Sequence, residues 1–221
     1  TKIASFEIID IQLNDLVAKK GKPKNMSTGQ ANKEDVQEAI DCARENGCND
    51  LIILHCVSGY PAPADQYNLK TIADISDSFD VLSGLSDHTI DNATSIASVA
   101  LGACLIEKHV TLDRSGGGPD DSFSLEPTEL AQLCQDTKTA WLALGDINYD
   151  RTEAEKGNVK FRRSLYIVQD IEIGETFTPE NVKSIRPGFG LAPKHYNNIL
   201  GKRAAIGLTR GSPLKMEFVS D

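Results

Sequence analysis

No stretch of the sequence approaches the roughly 18 consecutive apolar residues that a membrane-spanning helix needs. Thr1-Lys2-Ile3 leads directly into mixed polar sequence, so we expect no signal peptide. The five cysteines form no Cys-x-x-Cys motif and lie in periodic segments rather than in loops, which is typical of reduced thiols. These absences predict a cytoplasmic protein without a membrane partner.

The chain also lacks a concentrated basic surface. Its net charge of −9 is uneven, since residues 151–221 hold 12 basic against 8 acidic residues and the remainder holds 11 against 24. The acidic first part is unlike a nucleic-acid-binding surface. A nucleic-acid arm in the basic last part is the weaker interpretation, because its charges are scattered. We therefore expect no nucleic-acid partner.

The first 145 residues repeat one unit: a short apolar run, a polar loop and an amphipathic helix. Apolar spacing at i, i+3, i+4 and i+7 predicts helices at 32–46, 91–101 and 128–144. The apolar runs between the helices lie at 2–6, 24–28, 51–56, 81–88 and 104–111. Strands that alternate with helices indicate parallel pairing and an α/β fold.

Five such units leave two architectures open, because a closed (β/α)₈ barrel has eight strands and typically about 250 residues. The chain is either a five-stranded open sheet or the second part of a barrel whose first units are absent. After residue 145 the regular apolar pattern stops: residues 146–160 are polar and aperiodic, which predicts a linker. Short β-like runs broken by glycine and proline then predict a small all-β domain over 161–221.

Histidines end two neighbouring predicted strands. The period-2 alternation of a strand places Ser86 and His88 on one face of the fourth run, and Glu107 and His109 on one face of the fifth. The carboxyl ends of parallel strands lie at the same edge of the sheet, so we expect these side chains to lie close together at that edge. Two neutral imidazoles with water and a substrate oxygen suit Mn²⁺ or Co²⁺. Spacing alone equally allows two hydrogen-bonded core histidines.

Other polar residues follow the remaining strand ends and the last strand. Lysine, hydroxyls and glycine-rich turns at Lys2, Ser5, Ser27 and Ser58 are a candidate phosphate cradle, although helix N-capping explains the hydroxyls too. In the loop 113–127, Asp120 and Asp121 can bind sugar hydroxyls or belong to a solvated surface loop.

Together these segments resemble the sialic acid synthase family, whose members make nonulosonic acids. The matching motifs are "KIAS", "MSTG", "HCVSGYPAP", "NLKTI", "GLSDHT", "GACLIEKHVTLDR", "GGPDDSFSLEP" and "FRRSLYIVQDI". The loops "GGPDDSFSLEP" and "SIRPGFGLAPK" look more like the pseudaminic acid synthase branch than the N-acetylneuraminate branch.

The resemblance implies a TIM (β/α)₈ barrel followed by an antifreeze-like (SAF, β-clip) domain. Residues 1–145 would hold barrel strands four to eight, and no segment matches the three earlier strands. The implied reaction is a metal-dependent condensation of phosphoenolpyruvate with 2,4-diacetamido-2,4,6-trideoxy-L-altrose, giving the nine-carbon acid and phosphate. Because an incomplete barrel leaves unpaired edges, we expect the 221 residues alone to have little or no activity.

The resemblance also implies a role for individual residues. His88 and His109 would bind the divalent metal, with Mn²⁺ expected first and Mg²⁺ or Co²⁺ as alternatives, and Glu107 would help to set up the reacting centre. The family dimer is domain-swapped, so Arg186 would reach the sugar in the neighbouring subunit. The residues implied to bind phosphoenolpyruvate are Lys2, Ser5, Ser27, Ser58 and Ser86, and those implied to contact the amino sugar are Tyr60, Asp120 and Arg186.

Two rival functions remain. A synthase for N-acetylneuraminic or legionaminic acid differs only in the sugar that it accepts. A non-catalytic antifreeze-like binding protein is a different class, but lysines and arginines across residues 183–203 are unlike the flat, uncharged surface that binds ice. His55, at the end of the third run, is expected to be structural.

Overall fold

The computed structural model describes residues 1–221, which divide into two compact units, 1–146 and 147–221. The strands of the first unit are β1 (Lys2–Ile3), β2 (Lys24–Ser27), β3 (Leu51–Cys56), β4 (Leu82–Asp87) and β5 (Ile106–Lys108). Its helices are α1 (Ile11–Ala18), α2 (Lys33–Glu45), α3 (Thr71–Phe79), α4 (Ala93–Ala100) and α5 (Pro127–Leu144). No helix of the chain is both long and apolar enough to cross a bilayer.

The five strands form one parallel sheet in the order β1-β2-β3-β4-β5. The sheet is curled into a half-barrel, and β1 and β5 are its two edges. Its register pairs Ser86 with Glu107 and Asp87 with Lys108 across β4 and β5. The predicted α/β architecture is confirmed, and all carboxyl ends of the strands lie at one rim.

Helix α2 shows how local sequence sets these elements. Asn32 caps its first turn, and a reciprocal capping box joins the side chains and backbone amides of Asn32 and Asp35. The helix buries Val36, Ala39 and Ile40 in a core shared with strand residues such as Ile53. The apolar side of the helix therefore packs against one face of the sheet, and the strand ends remain free for polar residues.

A smaller apolar cluster lies near the carboxyl ends of β3 and β4. It contains Ala62, Tyr67, Ile72 and Leu85. The hydroxyl of Tyr67 donates to the carbonyl of Ser86 at 3.2 Å and accepts from the backbone N–H of His88 at 2.7 Å. One buried side chain therefore ties the end of β4 to the loop after β3.

The second unit is built from short antiparallel pairs. Strands β6 (Ser164–Ile167) and β7 (Val182–Ile185) form one pair, and β8 (Arg203–Ala204) and β9 (Val219–Ser220) form another. Two one-turn helices, α6 (Glu153–Lys156) and α7 (Tyr196–Ile199), complete the unit. The segment predicted as a linker, 146–160, thus includes α6. The core of the second unit contains buried residues such as Leu165, Phe177 and Val182, and it is separate from the core of the sheet.

Candidate active site

A cavity of about 330 Å³ opens at the carboxyl ends of the five parallel strands. It is lined by Lys2, Ala4, Ser5, Phe6, Ser27, Tyr60, Ser86, His88, Glu107, Lys108 and His109. Eight of the residues singled out from the sequence therefore line one space, although they are spread over more than 100 positions. Parallel topology explains the convergence, because each strand delivers its last residues to the same rim.

A hydrogen-bonded chain of polar groups crosses this cavity from β1 to β5. The ammonium of Lys2 donates to Ser27 Oγ at 2.5 Å and to Glu107 Oε1 at 2.7 Å. Ser86 Oγ donates to the same carboxylate oxygen at 2.8 Å. Both donors use Oε1, so Oε2 of Glu107 remains available to a ligand. These hydrogen bonds link four strands, β1, β2, β4 and β5, with Lys2 and the carboxylate of Glu107 at the centre.

The carboxyl of Glu107 is held in its ionised form. Burial by itself would raise the pKa of this group, but hydrogen bonds from Lys2 and Ser86 together outweigh it, and the pKa is lowered. The positive charge of Lys2 acts in the same direction. Glu107 is therefore an acceptor, not a proton donor, at neutral pH.

His88 is fixed on several sides. Its Nδ1 lies 2.8 Å from the carbonyl oxygen of Val57, an acceptor, so Nδ1 carries the hydrogen. Its backbone carbonyl accepts from Ala62 at 2.9 Å. Burial lowers the pKa of the imidazole, which stays neutral. A neutral ring protonated on Nδ1 presents the lone pair of Nε2 to the cavity.

His109 is arranged in the same way. Its Nδ1 lies 3.3 Å from a carboxylate oxygen of Asp120, which favours the hydrogen on Nδ1 and a free Nε2. The centroids of the two imidazoles are 5.3 Å apart, with ring planes inclined at 62°. Rings this close, each with its Nδ1 facing an oxygen atom, fit two ligands of one borderline divalent cation. No group of three or more His, Cys, Asp and Glu side chains in the chain is arranged to hold a metal.

Aromatic rings surround the two histidines. Tyr60 lies over His88 with centroids 4.3 Å apart, and it meets His109 edge-on at 5.8 Å. Phe123, which is buried, contacts both His109 and Tyr60, at centroid distances of 5.2 and 5.5 Å. The sequence indicates Tyr60 through its motif; it points to the residues near Phe123 as a place where the choice of sugar is made, but it gives no rule for that choice.

The turn after β2 brings its backbone close to two serines. Gly29 has a φ of +52°, and a Cβ at this position would lie 2.4 Å from Ser5 Cβ and 2.8 Å from Ser58 Oγ. The two hydroxyls are themselves hydrogen-bonded at 3.2 Å. Glycine is thus required here for both space and backbone conformation. Ser58 is linked to the cavity through Ser5.

Three residues considered from the sequence lie elsewhere. Asp121 is engaged within its own loop, where it accepts from Thr111 Oγ1 at 2.6 Å and from the N–H of Gly118 at 2.7 Å. Arg186 lies in the second unit, at the end of β7, and is exposed. His55 turns its Nε2 to the carbonyl of Tyr67 at 2.5 Å.

A larger groove of about 960 Å³ lies between β5 and α5. Its walls are mainly apolar, with Leu105, Leu130, Leu133 and Trp141 among them. Binding sites for polar metabolites combine concavity with convergent polar groups. The smaller cavity at the strand ends has that combination, and we take it as the candidate active site.

The chain matches two family models. Residues 1–149 match the model described as NeuB family, and residues 162–220 match the SAF domain. The boundary between the two matches falls within the segment that includes α6.

Two relatives from Campylobacter jejuni illustrate the similarity. A pseudaminic acid synthase from strain 81-176 is 43% identical over 97% of this chain and 62% of its own length. An N,N'-diacetyllegionaminic acid synthase from strain NCTC 11168 is 40% identical over 92% of this chain and 62% of its own length. The chain therefore spans about three fifths of these relatives.

A solved structure shows the same similarity over the whole chain. The spore coat polysaccharide biosynthesis protein spsE from Bacillus subtilis superposes with a TM-score of 0.63 and 31% identity. The match covers 100% of this chain and 67% of that one.

Proposed function

Given that the chain belongs to the NeuB family, we propose that it forms part of a synthase that joins phosphoenolpyruvate to an amino-sugar aldehyde. The product would be a nine-carbon nonulosonic acid, with release of phosphate. The observation that carries this proposal is the convergence of Lys2, Glu107, His88 and His109 on one cavity at the strand ends. A cation, a carboxylate and two imidazoles meet there, brought together by the ends of β1, β4 and β5.

Phosphoenolpyruvate would lie at the β1–β4 side of the cavity. Lys2 supplies the positive charge that a trianionic substrate needs, and the hydroxyls of Ser5, Ser27, Ser58 and Ser86 supply short-range donors. Lys2 already contacts Glu107 at 2.7 Å, so its charge is held in place before a ligand arrives. Aligning two polar reactants in this way lowers the entropic cost of their reaction.

His88 and His109 would hold a divalent cation, for which we favour Mn²⁺. Such an ion, when bound, supplies Lewis acidity toward the aldehyde oxygen of the sugar. The residues fit the ion because Val57 and Asp120 engage both Nδ1 atoms and leave both Nε2 atoms for coordination. With only two protein ligands, the remaining positions would go to water and substrate.

In the proposed reaction, C3 of phosphoenolpyruvate forms the new C–C bond with the aldehyde carbon, and the aldehyde oxygen takes up a proton. The electrons of the C2=C3 double bond form this bond and leave a cation at C2, to which water adds with loss of a proton. Phosphate then leaves by cleavage of the C2–O bond and takes the proton of the new C2 hydroxyl, which becomes the keto group. Glu107 is suited to accept the proton from water, since it is ionised and its Oε2 is unoccupied.

For the sugar, we propose 2,4-diacetamido-2,4,6-trideoxy-L-altrose, so that the product is pseudaminic acid. The likeness of the loop "GGPDDSFSLEP" to pseudaminic acid synthases and the 43% identity to one of them support this choice. Asp120 and Phe123 of this loop lie beside His109. The runner-up is a legionaminic or N-acetylneuraminic acid synthase, because relatives of both kinds are similar. Tyr60 and Asp120 would contact the sugar beside the histidines.

We also propose a homodimer in which Arg186 serves the neighbouring subunit. Arg186 is exposed and forms no ion pair within the chain. A guanidinium free of carboxylates is available for the polar groups of a sugar.

Phosphoenolpyruvate binding tests the proposed cavity directly. We expect Lys2→Met to weaken binding to the chain, measured by calorimetry, by at least about tenfold, since it removes the cavity's charge-assisted donor. The matched control is Lys33→Met, at a lysine that is exposed on α2. Equal weakening in both variants, or none in Lys2→Met, would contradict the assignment.

A hybrid enzyme tests the sugar. Residues 1–221 would replace the matching segment of the Campylobacter jejuni pseudaminic acid synthase, because we expect these residues alone to turn over slowly or not at all. The hybrid should release phosphate from phosphoenolpyruvate with the 2,4-diacetamido altrose and not with N-acetylmannosamine. The reverse preference would support the N-acetylneuraminic acid synthase.

A further inference from the structure

A second polar cluster lies directly beside the two histidines, and the proposed chemistry makes no use of it. Asp87 immediately precedes His88, and Lys108 immediately precedes His109. The two residues are register partners on β4 and β5. Because side chains alternate along a strand, they project from the face opposite to Ser86 and Glu107. Their charges are almost fully buried, with side-chain exposures of 0% for Asp87 and 4% for Lys108.

The pair is bonded on every available side. The Nζ of Lys108 lies 3.2 Å from Asp87 Oδ2, and it donates to the carbonyls of Thr89 at 2.5 Å and Asp91 at 2.8 Å. Asp87 Oδ1 accepts from the N–H and the hydroxyl of Thr89, both at 2.8 Å. Its Oδ2 accepts from Ser95 of α4 at 2.5 Å. The cluster thus holds the turn that follows His88 against the strand that carries His109.

Burying an ion pair of this kind costs free energy, so its presence calls for an explanation. Removing two charges from water carries a large penalty, and apolar residues of similar volume often replace a buried ion pair without loss of stability. The geometry here offers a specific gain, since the pair joins the two backbone segments that deliver the imidazoles. If either segment moves, the centroid separation of 5.3 Å changes with it.

We propose that Asp87 and Lys108 are positioning residues that set the separation of His88 and His109, and so the affinity of the site for a divalent cation. This inference rests on the proposed function, since it assumes that the two imidazoles share an ion. Neither side chain touches the ion. They act through the backbone of the residues that follow them.

Mn²⁺ titration followed by electron paramagnetic resonance tests this inference, at a temperature well below the unfolding of every variant. We expect Lys108→Met to lower Mn²⁺ affinity roughly ten- to a hundredfold, the range usual for residues that orient metal ligands. Because this variant leaves Asp87 buried without its partner, the double variant Asp87→Asn/Lys108→Met is measured as well. It removes both charges, and it should show the same loss with a circular dichroism spectrum like that of the parent.

The matched control is Lys24→Met on β2. Lys24 is 1% exposed and donates to the carbonyl of Asn14 at 3.0 Å, far along the sheet from the histidines. Substitution of a lysine that is merely structural should shift the unfolding temperature without changing Mn²⁺ affinity. Among these variants, we expect only Lys24→Met to give that result.

The outcomes separate the inference from the function on which it rests. Loss of Mn²⁺ affinity in His88→Ala and in both Lys108 variants, but not in Lys24→Met, supports the inference. Parent-like affinity in the folded double variant overturns the inference and leaves the shared-ion site intact. If the parent chain does not bind Mn²⁺ at all, both are overturned.

Discussion

At the scale of the residue, the function of each histidine in the first unit depends on which ring nitrogen is already occupied. In His88 and His109 the Nδ1 atom faces an oxygen acceptor, so Nε2 is free. In His55 the Nε2 atom faces the carbonyl of Tyr67. Side-chain alternation predicts that His88 and His109 share a face, but it gives no information on ring nitrogens. Those depend on carbonyls and carboxylates from distant segments such as Val57 and Asp120.

His55 also provides a prediction for pH dependence. Burial lowers the pKa of its imidazole below the ordinary value of 6.5. Between the lowered pKa and 6.5 the unfolded chain binds more protons than the folded chain, so stability is present above this window and is lost as pH falls through it.

We therefore expect the midpoint temperature of thermal unfolding to decrease as the pH is lowered from about 7.5 to about 5.5. The variant His55→Gln should show a smaller decrease. Glutamine keeps a donor for the Tyr67 carbonyl but does not titrate. Buried His88 will contribute a remaining slope in both proteins. An identical pH dependence in parent and variant would show that His55 is not the responsible group.

At the scale of the element, the long regular segments are those that sequence periodicity predicts. Strand β3 and helices α2, α4 and α5 lie within two residues of their predicted bounds. The periodic pattern did not place α3, which ends at Asp80 with a left-handed φ of 52°, where glycine is the usual signal. Strand β5 is shorter than its predicted run, because only Ile106–Lys108 pairs with β4.

Gly84 on β4 tests how closely the strands approach beneath the site. A Cβ there would lie 2.4 Å from the carbonyl oxygen of Leu105 and 2.6 Å from Leu54 Cδ2. We expect Gly84→Ala to lower the free energy of unfolding by about 1–3 kcal/mol, the usual cost of overpacking. Urea denaturation measures it. Gly157→Ala is the control, since nothing lies within 4 Å of its added Cβ, and a comparable loss there would refute the steric explanation.

At the scale of the whole molecule, two units with different folds have separate cores. The first unit packs its core around residues such as Ile40 and Ile53, and the second around Leu165 and Phe177. The sequence indicates this division near residue 145, where the regular alternation of apolar runs and amphipathic helices stops. The curvature of the sheet is not visible in local patterns, because it depends on how five strands twist together.

Separate cores predict separate unfolding transitions. We expect Ile40→Ala to destabilise the sheet unit by about 2–5 kcal/mol and Phe177→Ala to destabilise the second unit by about 3–5 kcal/mol. Scanning calorimetry should show each variant shifting one transition and leaving the other in place. A single transition that shifts in both variants would mean that the units unfold together.

The most direct test of the account is the coordination of Mn²⁺, measured by pulsed electron paramagnetic resonance on the chain with ¹⁵N-labelled histidine. We predict hyperfine coupling to two imidazole nitrogens, with one coupling lost in His88→Ala and one in His109→Ala. Coupling to no imidazole, or unchanged spectra in both variants, would contradict the proposal that these two rings share one ion.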